Sequence, residues 1–297
     1  MHKVSQFTGH KASIFALAPF DRPGTFLSGG GDGWIVSWEL DNPDLGKLVA
    51  RISGRIFSLA YLPDSASVVA GNMDGGIHWV PLADPDKTKN IAAHQKGVFG
   101  LLPLGKNLFS AGGDGSIQKW SIQEKRSLES LIISNRSIRS LIAAPDGKTL
   151  IAGASDGTIY FIDSEQMIVT RHISAAHDSS VFSLALYPDG KTLISGGRDA
   201  RIKWWDLKEK PICTQNLPAH LFTVNDLAFH PEGKIFASAS RDKSIKIWDA
   251  EGRKLIKVLE GYRDEGHFNS VNALLWCDSG KALCSTGEDR SIIHWTF

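Results

Sequence analysis

The stretch SASRDKSIKIWD, residues 238–249, decides how the rest of the chain is read. It is a short β-type run, a tight turn at Asp242-Lys243, and a second β-type run that ends in Trp-Asp. The same sentence recurs six more times, in places worn. The turn aspartates are Asp32, Asp74, Asp114, Asp156, Asp199, Asp242 and Asp289, with successive spacings of 42, 40, 42, 43, 43 and 47 residues. A period of that size across a whole chain predicts a radial all-β array.

Each unit reads as four short strands, rich in β-branched and aromatic residues and bounded by Gly, Asp and Pro. The first follows a small-residue-His loop, as in GHKASIFALAP from Gly9. The second carries a Ser-Gly or similar pair, as in TFLSGG, and the third alternates polar and apolar residues up to a Trp, as in GWIVSW. The fourth is short and variable, such as KLVARI. Asp32-Gly33, Asp74-Gly75, Asp114-Gly115 and Asp156-Gly157 suit hairpin turns that need positive φ. The turns at Pro145, Pro188 and Pro231 join first and second strands, so they fall at the opposite end of each unit. Helical periodicity is sustained nowhere.

Composition agrees with one closed body, and residues 1–297 read as a single domain. Of the 297 residues, 42% are hydrophobic and 22% charged, ordinary for a globular protein. The net charge of +1 supplies no overall field to recruit nucleic acid or an anionic membrane. No apolar run is long enough to span a bilayer, and MHKVSQFTGH does not read as a secretory leader. With three cysteines, Cys213, Cys277 and Cys284, this points to a cytoplasmic, reducing setting. Metal-site cysteines usually come in close pairs, so Cys277 and Cys284 read as reduced structural thiols, and no metal or cofactor is expected.

The repeated residues resemble the WD-repeat β-propeller family. Gly9-His10, Ala93-His94, Ala176-His177, Ala219-His220 and Gly266-His267 each precede a Trp-ending strand, and Trp205-Asp206 and Trp248-Asp249 are the literal dipeptide. The resemblance runs from end to end and implies an all-β, seven-bladed propeller of four-stranded antiparallel blades. It also implies five buried tetrads: His10, Ser28, Asp32, Trp38; His94, Ser110, Asp114, Trp120; His177, Ser195, Asp199, Trp205; His220, Ser238, Asp242, Trp248; and His267, Ser285, Asp289, Trp295. In each, Trp donates, Ser bridges, His relays and Asp accepts.

Units two and four depart from this. Ile52, Ala70 and Val80 stand at the His, Ser and Trp positions of unit two, and Ser134, Ala152 and Ile162 at those of unit four. A lone polar survivor in the core costs about 1–3 kcal/mol, so the polar members are expected to vanish together, with Asp74 and Asp156 kept only for the turn. The sequence ends at Phe297, past the third strand of unit seven. HKVSQF at residues 2–7 is therefore expected to supply that unit's outer strand and close the ring.

Ser, His and Asp invite a hydrolase reading. A triad needs an exposed nucleophile beside an oxyanion site, and five copies each next to a Trp read as framework. No phosphate loop, calcium loop or paired-His zinc motif is present, so function falls to surfaces. The resemblance places binding at the channel mouth on the face of the His and Asp loops. Five residues after each His position come Phe15, Phe57, Phe99, Arg139, Phe182, Asn225 and Asn272. Three after it come Ser13, Arg55, Gly97, Ser137, Ser180, Thr223 and Ser270. Before each Asp come Gly31, Met73, Gly113, Ser155, Arg198, Arg241 and Glu288.

From these, Phe15, Arg55, Phe57, Phe99, Arg139, Phe182, Arg198 and Arg241 are the candidate partner-binding residues. The expected partner is a protein or peptide with apolar anchors and acidic groups. The phenylalanines could equally fill gaps between inner strands and the arginines be merely solvated. The rival reading is single-stranded nucleic acid, stacked on Phe and held by Arg. Tyr262, Arg263, Asp264 and Glu265, in the longest spacing, form a loop on the same face that either gates the site or is a tolerated insertion.

Overall fold

The computed structural model describes residues 1–296. Phe297, where the sequence reading ends the last unit, lies outside them. Seven four-stranded antiparallel sheets are arranged as blades. The innermost strands are Ile14–Pro19, Ile56–Leu62, Val98–Leu104, Ile138–Ala143, Val181–Leu186, Val224–Phe229 and Val271–Cys277. Each packs beside the next, and Val271–Cys277 packs back on Ile14–Pro19, so the ring is closed. The seam is the one expected: His2–Phe7 pairs antiparallel with Ile292–Thr296 as the outer strand of blade seven.

The apolar core is divided into seven wedges, each shared by two neighbouring blades. Ile56 and Val68 of blade two meet Leu27 and Ile35 of blade one, and so on round to Phe7, Cys284 and Ile292 of blade seven against Phe26 and Trp38 of blade one. Each blade is sandwiched, so its second strand is buried almost throughout and its third is buried at half or more of its positions. Outer strands are largely exposed, and several carry Lys or Arg at their starts, including Lys47, Lys89, Arg126 and Lys254. Charges there discourage edge-to-edge pairing with another chain.

The Asp-Gly turns show why the glycines are there. Gly75 and Gly115 sit at φ of 87° and 86°. A Cβ on either would lie 1.9 Å from the carbonyl oxygen of His94 or Ser134 in the following blade's entry loop. The same place in blades five to seven is held by Ala200, Lys243 and Arg290, also at positive φ.

Candidate site at the channel mouth

Five tetrads are assembled from the predicted residues. Trp Nε1 donates to Ser Oγ at 2.8–3.0 Å. Ser Oγ lies 2.7–2.9 Å from His Nε2. His Nδ1 lies 2.8–3.1 Å from the Asp carboxylate. That carboxylate also accepts the backbone N–H just after the His and the N–H two residues past the Asp, as at Leu221 and Ser244. Burial lowers the pKa of His10, His94 and His220 against the raising effect of their Asp partners. Burial pushes Asp242 up, but the bond and charge of His220, with bonds from Ser244 and the Leu221 N–H, outweigh it and hold the carboxyl well below its usual range. The serine hydroxyls are fully buried and each is shared between a Trp and a His, so the networks are framework.

Blades two and four correct the expectation that polar members vanish together. In blade four Ser134 Oγ donates to Asp156 at 2.6 Å, and Tyr160 Oη donates to the same carboxylate at 2.9 Å. In blade two Asn72 takes over the turn: its Oδ1 accepts the N–H groups of Asp74 and Gly76, at 3.1 and 2.7 Å. Its Nδ2 donates to Ser53 O and lies 3.2 Å from Nε2 of buried His78. Asp74 is thus not needed by the turn, and it lines the channel mouth. Both blades thus keep a side-chain network at the turn, built from Asn72 and His78 in one and from Ser134 and Tyr160 in the other, while Trp79 Nε1 and Ser140 Oγ are buried in these blades without a hydrogen-bond partner.

The mouth itself is a cavity of about 1020 Å³ enclosed by all seven inner strands. Every inner strand has a register shift at its second residue, so Phe15, Phe57, Phe99, Arg139, Phe182, Asn225 and Asn272 each occupy a bulge. A bulge re-aims its side chain, and all seven line the cavity. The other two rim positions bond to each other. The N–H before each Asp donates to the carbonyl three after the His position, from Gly31 to Ser13 round to Glu288 to Ser270, at 2.7–3.0 Å.

Five bulge residues form one continuous arc. Phe15 and Phe57 rings lie 4.9 Å apart, and Phe57 and Phe99 5.4 Å. The Arg139 guanidinium sits 4.2 Å from the Phe99 ring and 5.3 Å from that of Phe182. All five side chains are half-buried, so they both pack on their neighbours and show a face to the mouth. Burial, and then Arg198, lowers the Arg139 pKa. Among the described residues Arg139 and Arg198 form no ion pair. Arg55, Arg198 and Arg241 are exposed on the rim turns and do not line the cavity.

Asn225 and Asn272 complete the ring of bulges differently. Asn225 Nδ2 donates to Ser270 Oγ at 3.0 Å and to Val271 O at 2.8 Å, and Asn272 Nδ2 donates to Ile14 O at 2.8 Å. Beside them Asp226 Oδ2 accepts the N–H of Leu274 at 2.8 Å, and burial raises its pKa to about 7. The loop bearing Tyr262 does not reach the mouth. It forms a short helix, Gly261–Asp264, tied to the N-terminal strand by Lys3 Nζ, which donates to Glu265 O at 3.2 Å.

Closed seven-blade topology, buried tetrads and a lined channel define a β-propeller of the repeat type. The profile described as "WD domain, G-beta repeat" matches residues 1–39, 86–121, 127–163, 169–206, 211–249 and 254–296, and the chain belongs to the WD-repeat family. The unmatched stretch 40–85 holds most of blade two, where Asn72 and His78 replace the tetrad. Periodic tryptophan protein 2 of Arabidopsis thaliana is 26% identical over 176 residues, covering 58% of this chain and 20% of that protein. WD repeat-containing protein VIP3 of the same plant is 28% identical over 180 residues, covering 53% and 55%. This chain therefore spans between about a fifth and about half the length of these relatives. The solved WD40 β-propeller domain of Doa1 has a TM-score of 0.86 at 21% identity, covering 99% of this chain and 95% of that one. That likeness bears on the fold.

Proposed function

We propose that the chain is a non-enzymatic protein-interaction scaffold whose channel mouth docks an extended segment of a partner. The observation that carries this is the half-buried arc Phe15–Phe57–Phe99–Arg139–Phe182 lining the cavity. Aromatic and arginine side chains held in place before binding are the usual anchors of protein interfaces, because little entropy remains to be lost. Arg139, stacked on two rings and facing Arg198 with no carboxylate paired to it, favours a partner that brings an aspartate, glutamate or phosphate between apolar side chains. The three free cysteines suit a reducing, cytoplasmic setting for such a scaffold.

The test is selection of a displayed random-peptide library on the intact chain. Expected binders pair acidic with bulky apolar residues and weaken roughly tenfold or more when Phe57 or Phe99 is changed to alanine. Binders indifferent to both changes, and to Arg139→Ala, would move the site off the mouth. Tight, steeply salt-dependent binding of single-stranded oligonucleotides would instead favour stacking of bases on the arc.

A further inference from the structure

The same face carries a second pit, between blades six and seven and outside the mouth, of about 360 Å³. Its walls are Leu221, Tyr262 and Phe268, which are 83%, 99% and 60% exposed. Tyr262 and Phe268 meet edge-on at 6.2 Å. The positions after the tetrad histidines in blades one, three and five are polar: Lys11, Gln95 and Asp178. In blades six and seven they are Leu221 and Phe268. Exposed apolar side chains gathered side by side, rather than scattered singly, are a signature of interaction sites.

The backbone beneath the walls is tied down. The N–H groups of Leu221 and Phe268 donate to Asp242 and Asp289, at 2.9 and 3.1 Å. Tyr262 rides on the short helix whose Asp264 accepts the Glu260 N–H at 3.0 Å. The charges around the pit are sided. Lys243, on its rim, and Arg241, toward the mouth, are exposed and join no ion pair among the described residues. Asp242 between them is consumed by His220 and Ser244. On the outer side stands Glu260, which follows the outer strand Lys254–Leu259.

We infer that this pit anchors one bulky apolar side chain of an extended segment of a partner protein. An aspartate or glutamate of that segment lies on the pit's inner side against Lys243 and Arg241, and Glu260 repels acid from the outer side. Only the direction of the segment, running outward from the mouth, rests on the docking role proposed above. The pit stands without it.

Peptides selected from the random library on the intact chain are the probes, measured by fluorescence anisotropy against four variants whose melting is first checked. Phe268→Ala is expected to weaken binding roughly tenfold to thirtyfold, and Lys243→Glu roughly tenfold. A peptide with lysine in place of its acid should recover affinity for Lys243→Glu, which a merely structural effect would not produce. Loss with Phe268→Ala but none with Phe57→Ala keeps the pit and removes the mouth. Loss with Phe57→Ala but none with Phe268→Ala or Tyr262→Ala overturns the pit and keeps the mouth. A concentration-dependent dimer abolished by Phe268→Ala would also overturn the proposal, by assigning the pit to a second copy of the chain.

Discussion

Blades one to five and blades six and seven place different chemistry on one identical backbone device. At the bulge, the first group carries Phe15, Phe57, Phe99, Arg139 and Phe182, while the second carries Asn225 and Asn272. The rings and the guanidinium satisfy one another side by side and keep faces toward the mouth. The amides reach across the blade gap and spend their donors on Val271 O and Ile14 O. Trp276 Nε1, which donates to Ala228 O at 3.0 Å, adds to the same seam. One part of the rim is thus left available to a ligand, and the other is committed to holding the ring together where its ends meet.

The largest test of that division is removal of residues 1–8. Phe7 is fully buried, with its ring 5.3 Å from Phe26 and 5.5 Å from Trp38. Losing an aromatic of that kind costs about 3–5 kcal/mol by itself, and the strand's pairing with Ile292–Thr296 goes with it. Urea unfolding should show the drop. Hydrogen exchange should rise first at Val271 and Leu274, beside the seam, and later at Ile56 and Val98. Uniform exchange round the ring, or an unchanged midpoint, would deny that the seam depends on the clasp.

A smaller pair of changes separates the two uses of the bulge. Asn225→Ala strips Ser270 and Val271 O of their donor and should cost about 1–3 kcal/mol of stability, with peptide affinity at the mouth altered less than about twofold. Phe57→Leu trims a side chain that is only half-buried and keeps it apolar, so its stability cost should stay under about 1.5 kcal/mol, while loss of the ring face weakens peptide binding roughly tenfold. Denaturation and anisotropy on the same samples decide it. The contrast fails if Asn225→Ala harms affinity as much as Phe57→Leu does.

This contrast also marks how far the sequence could be read. The Asp period, the five tetrads, the N-terminal outer strand and the shared offset of the rim residues are all carried by spacing within one unit. The fate of Asn225 is not, because its acceptors lie 45 and 46 residues away in the next blade. The offset therefore grouped it with the phenylalanines and gave no sign of its inward commitment. Blade two misled for a related reason. Counting from Asp74 finds Ala70 and Val80, whereas the working pair, Asn72 and His78, stands at other offsets. Ser134 stands where the repeat places a histidine, and its shorter hydroxyl still reaches Asp156 because the turn brings it near enough. Leu221 and Phe268 share a repeat position, directly after a tetrad histidine, but their meeting with Tyr262 in one pit depends on the fold of the inserted loop, which the repeat spacing does not encode.

The smallest predicted effect concerns pH at the stitched side of the rim. Asp226 is inserted between blades six and seven, accepting the N–H groups of Leu227 and Leu274 at 2.8 Å each. Burial outweighs those two bonds and raises its pKa from 3.8 to about 7. In the window between those values the folded chain keeps a proton that the unfolded chain has released. Stability from this group is therefore full below the ordinary carboxylate range and lost as pH rises through about 7. Asparagine does not titrate; its one carbonyl oxygen can accept only one of the two N–H groups, a loss that is the same at every pH. The difference in unfolding free energy between Asp226→Asn and the parent should move in favour of the variant by about 1 kcal/mol between about pH 6 and about pH 8. Urea titrations of both proteins at the two pH values measure it, and taking the difference removes the contribution of the tetrad histidines common to both. A constant difference would mean that the carboxylate is solvated from the channel and that the seam between blades six and seven is not pH-sensitive at this residue. A difference moving the other way would mean that the two backbone N–H groups hold the charged form more tightly than burial opposes it.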